Sequence, residues 1–181
     1  MQGAIFTAFS EMIVDKMGMK QWNELIDKTS PASNGIYTSG AQYEYRELLN
    51  MVVALSEKTG VPAEKLVEEF GQYLFDILYK NSPFDVSKID SLREFLLAIE
   101  DVIHVEVKRL NPDSYLPSFN YEDGPNGELI IYYSSKRQLC HASIGLIYGA
   151  AKKFDEAIEI SHPQCMHDGA QSCKLIVKFV G

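Results

Sequence analysis

The sequence has little cysteine and a shortage of positive charge. Its three cysteines, Cys140, Cys165 and Cys173, are an odd number gathered in the last quarter of the 181 residues, so they make a poor disulfide framework. Lysine and arginine number 17 against 25 aspartates and glutamates, a formal net charge of -8. Binding to a phosphate backbone depends on clustered positive charge, so we expect no nucleic-acid partner.

Long hydrophobic runs are also missing, and the longest are too short to cross a bilayer. We therefore predict no membrane-spanning segment and no membrane partner. Residues 1–6 lack the basic and extended apolar regions of a secretory signal, which favours a cytoplasmic protein. No internal repeat or low-complexity stretch is visible. The length and a hydrophobic fraction of 46% favour one globular domain.

The first part of the chain shows helical periodicity. From residue 2 to about 110 the apolar residues recur mostly at helical spacing. Breaks fall at Gly18, around residues 31–35, at Gly60 and at residues 82–83. This pattern predicts a helical lobe of five or six helices.

After Pro117 the periodicity changes to that of strands, with one further helix over residues 138–153. The strand-like runs are residues 119–122, 128–135, 156–160 and 174–180. A glycine-rich turn joins the first two runs as a hairpin. The predicted fold is α+β, with an N-terminal helical lobe followed by a lobe that has a small antiparallel sheet and one helix. A cleft between two such lobes is a natural cofactor site.

Three hydrogen-bonding residues alternate near the end of the second strand-like run, at Tyr133, Ser135 and Arg137. Residues two apart share a face of a strand, so a phenol, a hydroxyl and a guanidinium would stand in line. The planar fork of arginine binds carboxylates or phosphates bidentately. This row suits an anionic group at the mouth of an apolar pocket, and the alternative is a polar strand face open to water.

A histidine, His104, lies on the helix predicted over residues 91–110, which begins with a capping box at Ser91. It lies just off the apolar stripe through Ile99 and Ile103, where it can face a cleft. An imidazole nitrogen is a common axial ligand of haem iron, and haem carries two propionates. The alternative is an ordinary core or surface histidine.

Residues 101–104, Pro117 and the Tyr133-x-Ser135-x-Arg137 row together resemble the signature of the H-NOX family, the haem nitric oxide/oxygen binding domains. The resemblance implies a b-type haem between the lobes. It makes His104 the proximal ligand of the haem iron and assigns the propionates to the Tyr-Ser-Arg row. Pro117 would press on the porphyrin and distort it.

The resemblance extends from Met1-Gln2-Gly3 through Trp22 and Gly71 to residues 145–149 and the terminal strands. It implies one domain over residues 1–181, divided into a distal helical subdomain at 1–65 and a proximal subdomain at 66–181. Family members of the stand-alone bacterial type regulate a separate histidine kinase or cyclic diguanylate enzyme. We expect the same kind of partner here. The signal to it would be a shift of the two lobes relative to each other when a gas binds.

The choice of gas rests on the distal side of the expected haem. Family members that hold oxygen carry a distal tyrosine five residues after the motif arginine, where this chain has Ala142. By the same comparison the remaining wall is Phe9 and Leu74. None of the three donates a hydrogen bond to bound oxygen, so we expect nitric oxide and carbon monoxide to bind without stable oxygen binding. A haem peroxidase needs a distal acid and base, so we expect no enzyme.

A second constellation offers four ligands that suit zinc: Cys140, His162, Cys165 and Cys173. Gly169 permits a tight loop among them, and a subset of the H-NOX family shows the same pattern. We therefore expect zinc there and assign His141 and His167 to solvent. The alternative from spacing alone is a set of unrelated thiols. If the protein binds no haem, the alternative function is a zinc-bound thiol redox sensor or a protein-interaction module.

Overall fold

A computed structural model describes residues 1–82 and 85–180 of the chain. Its first part is a layer of four long helices: α1 (Gly3–Met17), α2 (Met19–Thr29), α3 (Tyr45–Thr59) and α4 (Ala63–Lys80). Gly18 joins α1 to α2 with a φ of 87°, and Gly60 ends α3 with a φ of 73°, a backbone region that favours glycine. The predicted helical lobe is confirmed, with its breaks at the predicted glycines. The predicted break at Pro83 lies outside the described residues.

The next helical segment is interrupted. It comprises α5 (Leu92–Ala98), a π-helical turn (Ile99–Ile103) and α6 (His104–Leu110). Ser91 caps α5 by accepting a hydrogen bond from the Glu94 amide at 3.2 Å, as the capping box predicts. The sequence predicts one regular helix here, and the π turn is a departure from it. Such a turn widens the helix and changes the direction of the side chains that follow.

The second part is a four-stranded antiparallel sheet with one helix packed on it. The elements are β1 (Ser118–Asp123), β2 (Leu129–Ser134), α7 (Cys140–Lys153), β3 (Ala157–Gln164) and β4 (Cys173–Val180). The strand order is β1-β2-β4-β3, and β1 pairs with β2 so that Phe119 lies opposite Tyr133. The α+β prediction is confirmed. The third strand continues to Gln164, four residues beyond its predicted end.

Two apolar clusters share α4. Leu66, Phe70 and Leu74 pack with α1, α2 and α3, while Phe75 joins the cluster formed by α5, α7 and the sheet. Helices α4 and α7 touch through glycine: a Cβ on Gly145 would lie 2.0 Å from the Glu68 carbonyl oxygen, and one on Gly71 would lie 2.3 Å from the Ala142 carbonyl oxygen. The close approach of these helices therefore depends on glycine. Across the described ranges, the chain has no helix long and apolar enough to span a membrane.

Candidate functional site

A cavity of about 770 Å³ lies between the helices and the sheet, lined by residues of α1, α4, α6, α7, β1 and β2. His104, Tyr133, Ser135 and Arg137 all line it, together with Pro117. Residues that are separated by up to 33 positions therefore meet around one space. Its volume is in the range of cofactor sites.

His104 is the first residue of α6 and its side chain is 16% exposed. Its Nδ1 lies 3.1 Å from Oε2 of Glu100, a carboxylate that can only accept. Nδ1 therefore carries the proton and Nε2 keeps its lone pair. Burial lowers the pKa of His104 and outweighs the opposing effect of Glu100, which favours a neutral imidazole. Sequence reasoning missed Glu100, although its four-residue spacing from His104 on a helix was a usable signal.

The Tyr133, Ser135 and Arg137 row is built differently from the predicted strand face. Strand β2 ends at Ser134, so Ser135 and Arg137 lie in the loop that follows. The Arg137 amide donates to Ser135 Oγ at 3.2 Å, and the Leu139 amide donates to Tyr133 Oη at 3.0 Å. A tight loop, rather than strand alternation, thus brings the three residues to the cavity. Burial raises the pKa of Tyr133 to about 12, so its hydroxyl stays protonated.

The Arg137 guanidinium is held by aromatic rings and a carbonyl. It lies 4.8 Å from the ring centre of Tyr115 and 6.0 Å from that of Tyr45, and it donates to the Tyr115 carbonyl oxygen at 3.3 Å. In residues 1–82 and 85–180, no ion pair joins Arg137 to a carboxylate of the chain. The side chain is therefore oriented, charged and available to an anionic ligand.

The predicted distal residues divide into two groups. Leu74 and Ala142 line the cavity, whereas Phe9 is not among its lining residues. The cavity-facing side of α1 carries Ala4, Ala8 and Glu11, and the next residue after Ala8 is rotated by about 100° around a helix. Phe9 therefore lies one layer back, with its ring edge-on to Phe70 at 5.2 Å.

Several polar side chains that the sequence patterns did not single out line the cavity, and Thr7 and Tyr121 are two of them. The hydroxyl of Thr7 donates to the Ala4 carbonyl oxygen at 3.0 Å, so its proton is engaged within α1. Tyr121 is different, because its Oη is buried without a hydrogen-bond partner among the described residues. Burial raises the pKa of Tyr121. The sequence signal for Tyr121 was the alternation of β1, which places Tyr121 and Phe119 on the same face of the strand.

These residues fit a b-type haem. The cavity offers the neutral imidazole of His104 for the iron. It offers the guanidinium of Arg137, with a serine and a tyrosine hydroxyl, for the propionates. The buried hydroxyl of Tyr121 lines the same space. Aliphatic and aromatic side chains supply much of the remaining wall, including Ile5, Leu74 and Leu146. This donor set matches the ligation and hydrogen bonding by which proteins hold haem.

The predicted zinc ligands meet at the far end of the sheet. One ligand atom from each of Cys140, His162, Cys165 and Cys173 lies within 4.8 Å of the others. The sulfur of Cys165 is 3.9 Å from that of Cys140 and 4.0 Å from that of Cys173. Two thiolates bound tetrahedrally at 2.3 Å from zinc would be roughly 3.8 Å apart. Within residues 1–82 and 85–180, His162 Nε2 is buried without a hydrogen-bond partner, so the set fits a tetrahedral metal ion.

The two remaining histidines nearby differ from each other. His167 is exposed and its Nε2 lies 2.8 Å from the Gln138 carbonyl oxygen, in keeping with its expected solvated position. His141 departs from that expectation, because it is half-buried and its Nδ1 has no hydrogen-bond partner in the part of the chain that the structure describes. Its ring lies 5.6 Å from that of His162. As the second residue of α7, His141 is drawn inward by the packing of that helix on α4.

Comparison with known proteins gives a consistent result. The family model described as haem-NO-binding matches residues 2–162. An H-NOX protein from S. oneidensis in the Fe(II)NO state is 38% identical, with a TM-score of 0.92 and coverage of 100% of both chains. The H-NOX protein from K. algicida is 30% identical, with a TM-score of 0.91 and coverage of 100% of this chain and 97% of that one.

A curated relative matches only in part. The soluble guanylate cyclase subunit beta-2 of Rattus norvegicus is 32% identical over 95 residues. That match covers 50% of this chain and 14% of the length of the relative, so the chain spans only a small part of that protein. The family model and the solved structures extend over nearly all of the chain. The protein belongs to the haem-NO-binding, or H-NOX, family of haem-based gas-sensing domains.

Proposed function

We propose that this protein is a nitric oxide sensor that holds a b-type haem in its cavity, with Nε2 of His104 as the proximal ligand of the iron. The observation that carries the proposal is the state of His104. Its Nδ1 proton is engaged by Glu100 at 3.1 Å, and its buried imidazole is held neutral on the wall of the cavity. A neutral imidazole with a free Nε2 lone pair is the form that ligates iron.

The remaining cavity residues bind and orient the group. Arg137, Ser135 and Tyr133 are the ligands of the propionates, and the rings around Arg137 preorganise its guanidinium. Pro117 lines the same cavity, and its rigid ring suits a contact that distorts the porphyrin. When bound, the haem supplies the iron at which diatomic gases bind.

The gas preference follows from the donors that the distal wall lacks. Leu74 and Ala142 have no hydrogen-bond donor in their side chains, and the Thr7 hydroxyl is engaged by Ala4. Bound oxygen carries partial negative charge and requires such a donor, whereas carbon monoxide and nitric oxide do not. The protein therefore binds nitric oxide and carbon monoxide and forms no stable oxygen complex. Leu74 and Ala142 provide neither an acid nor a base for peroxidase chemistry, which supports a sensor rather than an enzyme.

The signal is a movement between a distal part, residues 1–65, and a proximal part, residues 66–181. A movement between these parts would alter two contacts that join them. Gln2 Nε2 donates to Ser114 Oγ at 3.0 Å, and Arg137 lies over the ring of Tyr45. By resemblance to bacterial members of the family, the output is a histidine kinase or a cyclic diguanylate enzyme in the cytoplasm.

Absorption spectroscopy tests this function. The ferrous protein, prepared under argon with sufficient haem, is expected to show an intense Soret band that shifts with nitric oxide and carbon monoxide but not with air. The variant His104→Gly is expected to lose this ferrous spectrum and to regain it when free imidazole is added. His167→Gly, which removes an exposed histidine, serves as the control. A protein that stays colourless after haem addition would contradict the proposal.

A second proposal concerns the cysteine end of the sheet, where Cys140, His162, Cys165 and Cys173 bind zinc. The clustering of their ligand atoms within 4.8 Å supports it. Burial raises the pKa of the thiols of Cys140 and Cys173, so metal-free thiols resist ionisation and a bound cation is needed to hold them as thiolates. Metal analysis is expected to give one zinc per chain, and a metal-free protein would contradict this. Loss of zinc would expose the thiols to oxidation, which is the basis of the alternative function as a thiol redox sensor.

A further inference from the structure

One carboxylate connects the proximal histidine to the sheet. Oε2 of Glu100 lies 3.1 Å from His104 Nδ1, and the same oxygen accepts a hydrogen bond from the Phe119 amide, also at 3.1 Å. Glu100 belongs to the π turn, His104 begins α6, and Phe119 lies in β1. A single oxygen thus fixes the position of His104 relative to the first strand.

The local environment makes this contact strong. The side chain of Glu100 is 33% exposed and that of His104 16% exposed, so water screens the interaction less than at the surface. The ring of Phe119 lies 5.7 Å from the imidazole ring and covers one side of it. The neighbouring acid Asp101 is exposed, which leaves Glu100 as the carboxylate that contacts the imidazole.

We propose that Glu100 is a positioning residue that fixes the proton of His104 on Nδ1 and increases the electron donation of Nε2 to the haem iron. The inference rests on the proposed ligation by His104. A ligating histidine that donates its other N–H to a carboxylate is a more basic and better oriented ligand. Glu100 thereby strengthens the iron–histidine bond, and it transmits a displacement of His104 to β1 through the Phe119 amide.

Two substitutions separate the charge of Glu100 from its hydrogen bonds. Glu100→Gln keeps an oxygen that can accept from His104 and Phe119 but removes the negative charge. Glu100→Ala removes both. Glu106→Gln is the matched control, because it removes the charge of a carboxylate two residues after His104 whose partner is the surface residue Arg109.

The readouts are the iron–histidine stretching frequency in the resonance Raman spectrum of the ferrous protein and the rate of haem loss to an excess of a haem-scavenging apoglobin. The stretching frequency is expected to fall in the order wild type, Glu100→Gln, Glu100→Ala. Haem loss from Glu100→Ala is expected to be about 10-fold or more faster, the usual size of such an effect. Glu106→Gln is expected to match the wild type in both measurements.

The possible outcomes distinguish this inference from the proposed function. A wild-type spectrum with no iron–histidine band would overturn the ligation by His104 itself. A normal wild-type band that is unchanged in both Glu100 variants would overturn the role of Glu100 and leave the ligation intact. If Glu100→Ala does not fold, Glu100→Gln decides the matter, because a merely structural role predicts an unshifted band in a variant that keeps both hydrogen bonds.

Discussion

At the scale of single residues, the site depends on how its polar groups are held before any ligand arrives. Arg137 is packed between Tyr45 and Tyr115 and donates to a backbone carbonyl, so little of its conformational entropy remains to be lost on binding an anion. The Tyr115 hydroxyl in turn accepts from the Lys136 amide at 2.7 Å. Orientation and charge are therefore both supplied by the folded chain.

Replacing Arg137 tests this preorganisation. Arg137→Gln removes a charge-assisted hydrogen bond, which typically contributes about 1.5–3 kcal/mol, so haem loss to a scavenger is expected to be roughly 10- to 100-fold faster. Arg137→Lys keeps the charge without the planar fork, so its rate of haem loss is expected to lie between those of the wild type and Arg137→Gln. Arg109→Gln, on the exposed side of α6, is the control. Equal rates for all four proteins would show that Arg137 does not bind the propionates.

A pH effect is expected from His141. Burial lowers the pKa of this histidine below its ordinary value of 6.5. Near and below pH 6.5, the unfolded chain therefore binds a proton at this position more readily than the folded chain does. The free energy of unfolding therefore falls as the pH decreases from 7.5 to 5.5. Urea denaturation at several pH values measures this loss, and His141→Gln is expected to make it smaller. His104 and His162 shift in the same direction, so the variant removes only part of the slope. An unchanged slope would contradict the assignment.

At the scale of elements, the contact between α4 and α7 determines how close the two halves of the cavity lie. The glycines at this crossing bring backbone against backbone, with no room for a Cβ on either side. The π turn acts at the same scale, because it sets the direction in which His104 leaves its helix. Small changes in either element alter the site without touching its polar residues.

The glycine contact gives a prediction for stability. The added methyl of Gly145→Ala would lie 2.0 Å from the Glu68 carbonyl oxygen, so the helices must separate, at a cost of about 1–3 kcal/mol. Thermal denaturation is expected to show a clearly lower Tm. Gly40→Ala is the matched control, because a Cβ there meets no atom within 4 Å. A Tm for Gly145→Ala equal to that of the control would mean that the crossing is looser than described.

At the scale of the whole molecule, α4 belongs to both apolar clusters, and the cavity opens where the clusters adjoin. The cysteine cluster joins the start of α7 to the ends of β3 and β4, far along the chain from the helical layer. A metal ion there would tie α7 to β3 and β4, two strands that already pair with each other. Its binding free energy would add to the stability of the folded state.

Removal of zinc tests this contribution. A strong chelator is expected to lower the Tm of the wild-type protein, because the ligated state is lost and the buried thiols remain without a cation. Cys165→Ser is expected to start at the lower Tm and to respond little to the chelator. The measurement is thermal denaturation followed by circular dichroism, with and without added zinc. A wild-type Tm that does not respond to the chelator or to zinc would count against the metal site.

Hydrophobic periodicity and the breaks at Gly18 and Gly60 are local properties of the chain, so the order of helices and strands is readable from the sequence. The sequence also supplied the site chemistry, because the functional groups of His104 and Arg137 belong to their residue types. The packing of whole elements was needed to show that Phe9 lies behind the cavity wall and that the Phe119 amide of β1 donates to Glu100. Those outcomes depend on helix rotation, on a π turn and on a strand that contributes its amide from nineteen positions away. Local patterns do not encode such long-range contacts, because they arise from how whole elements pack.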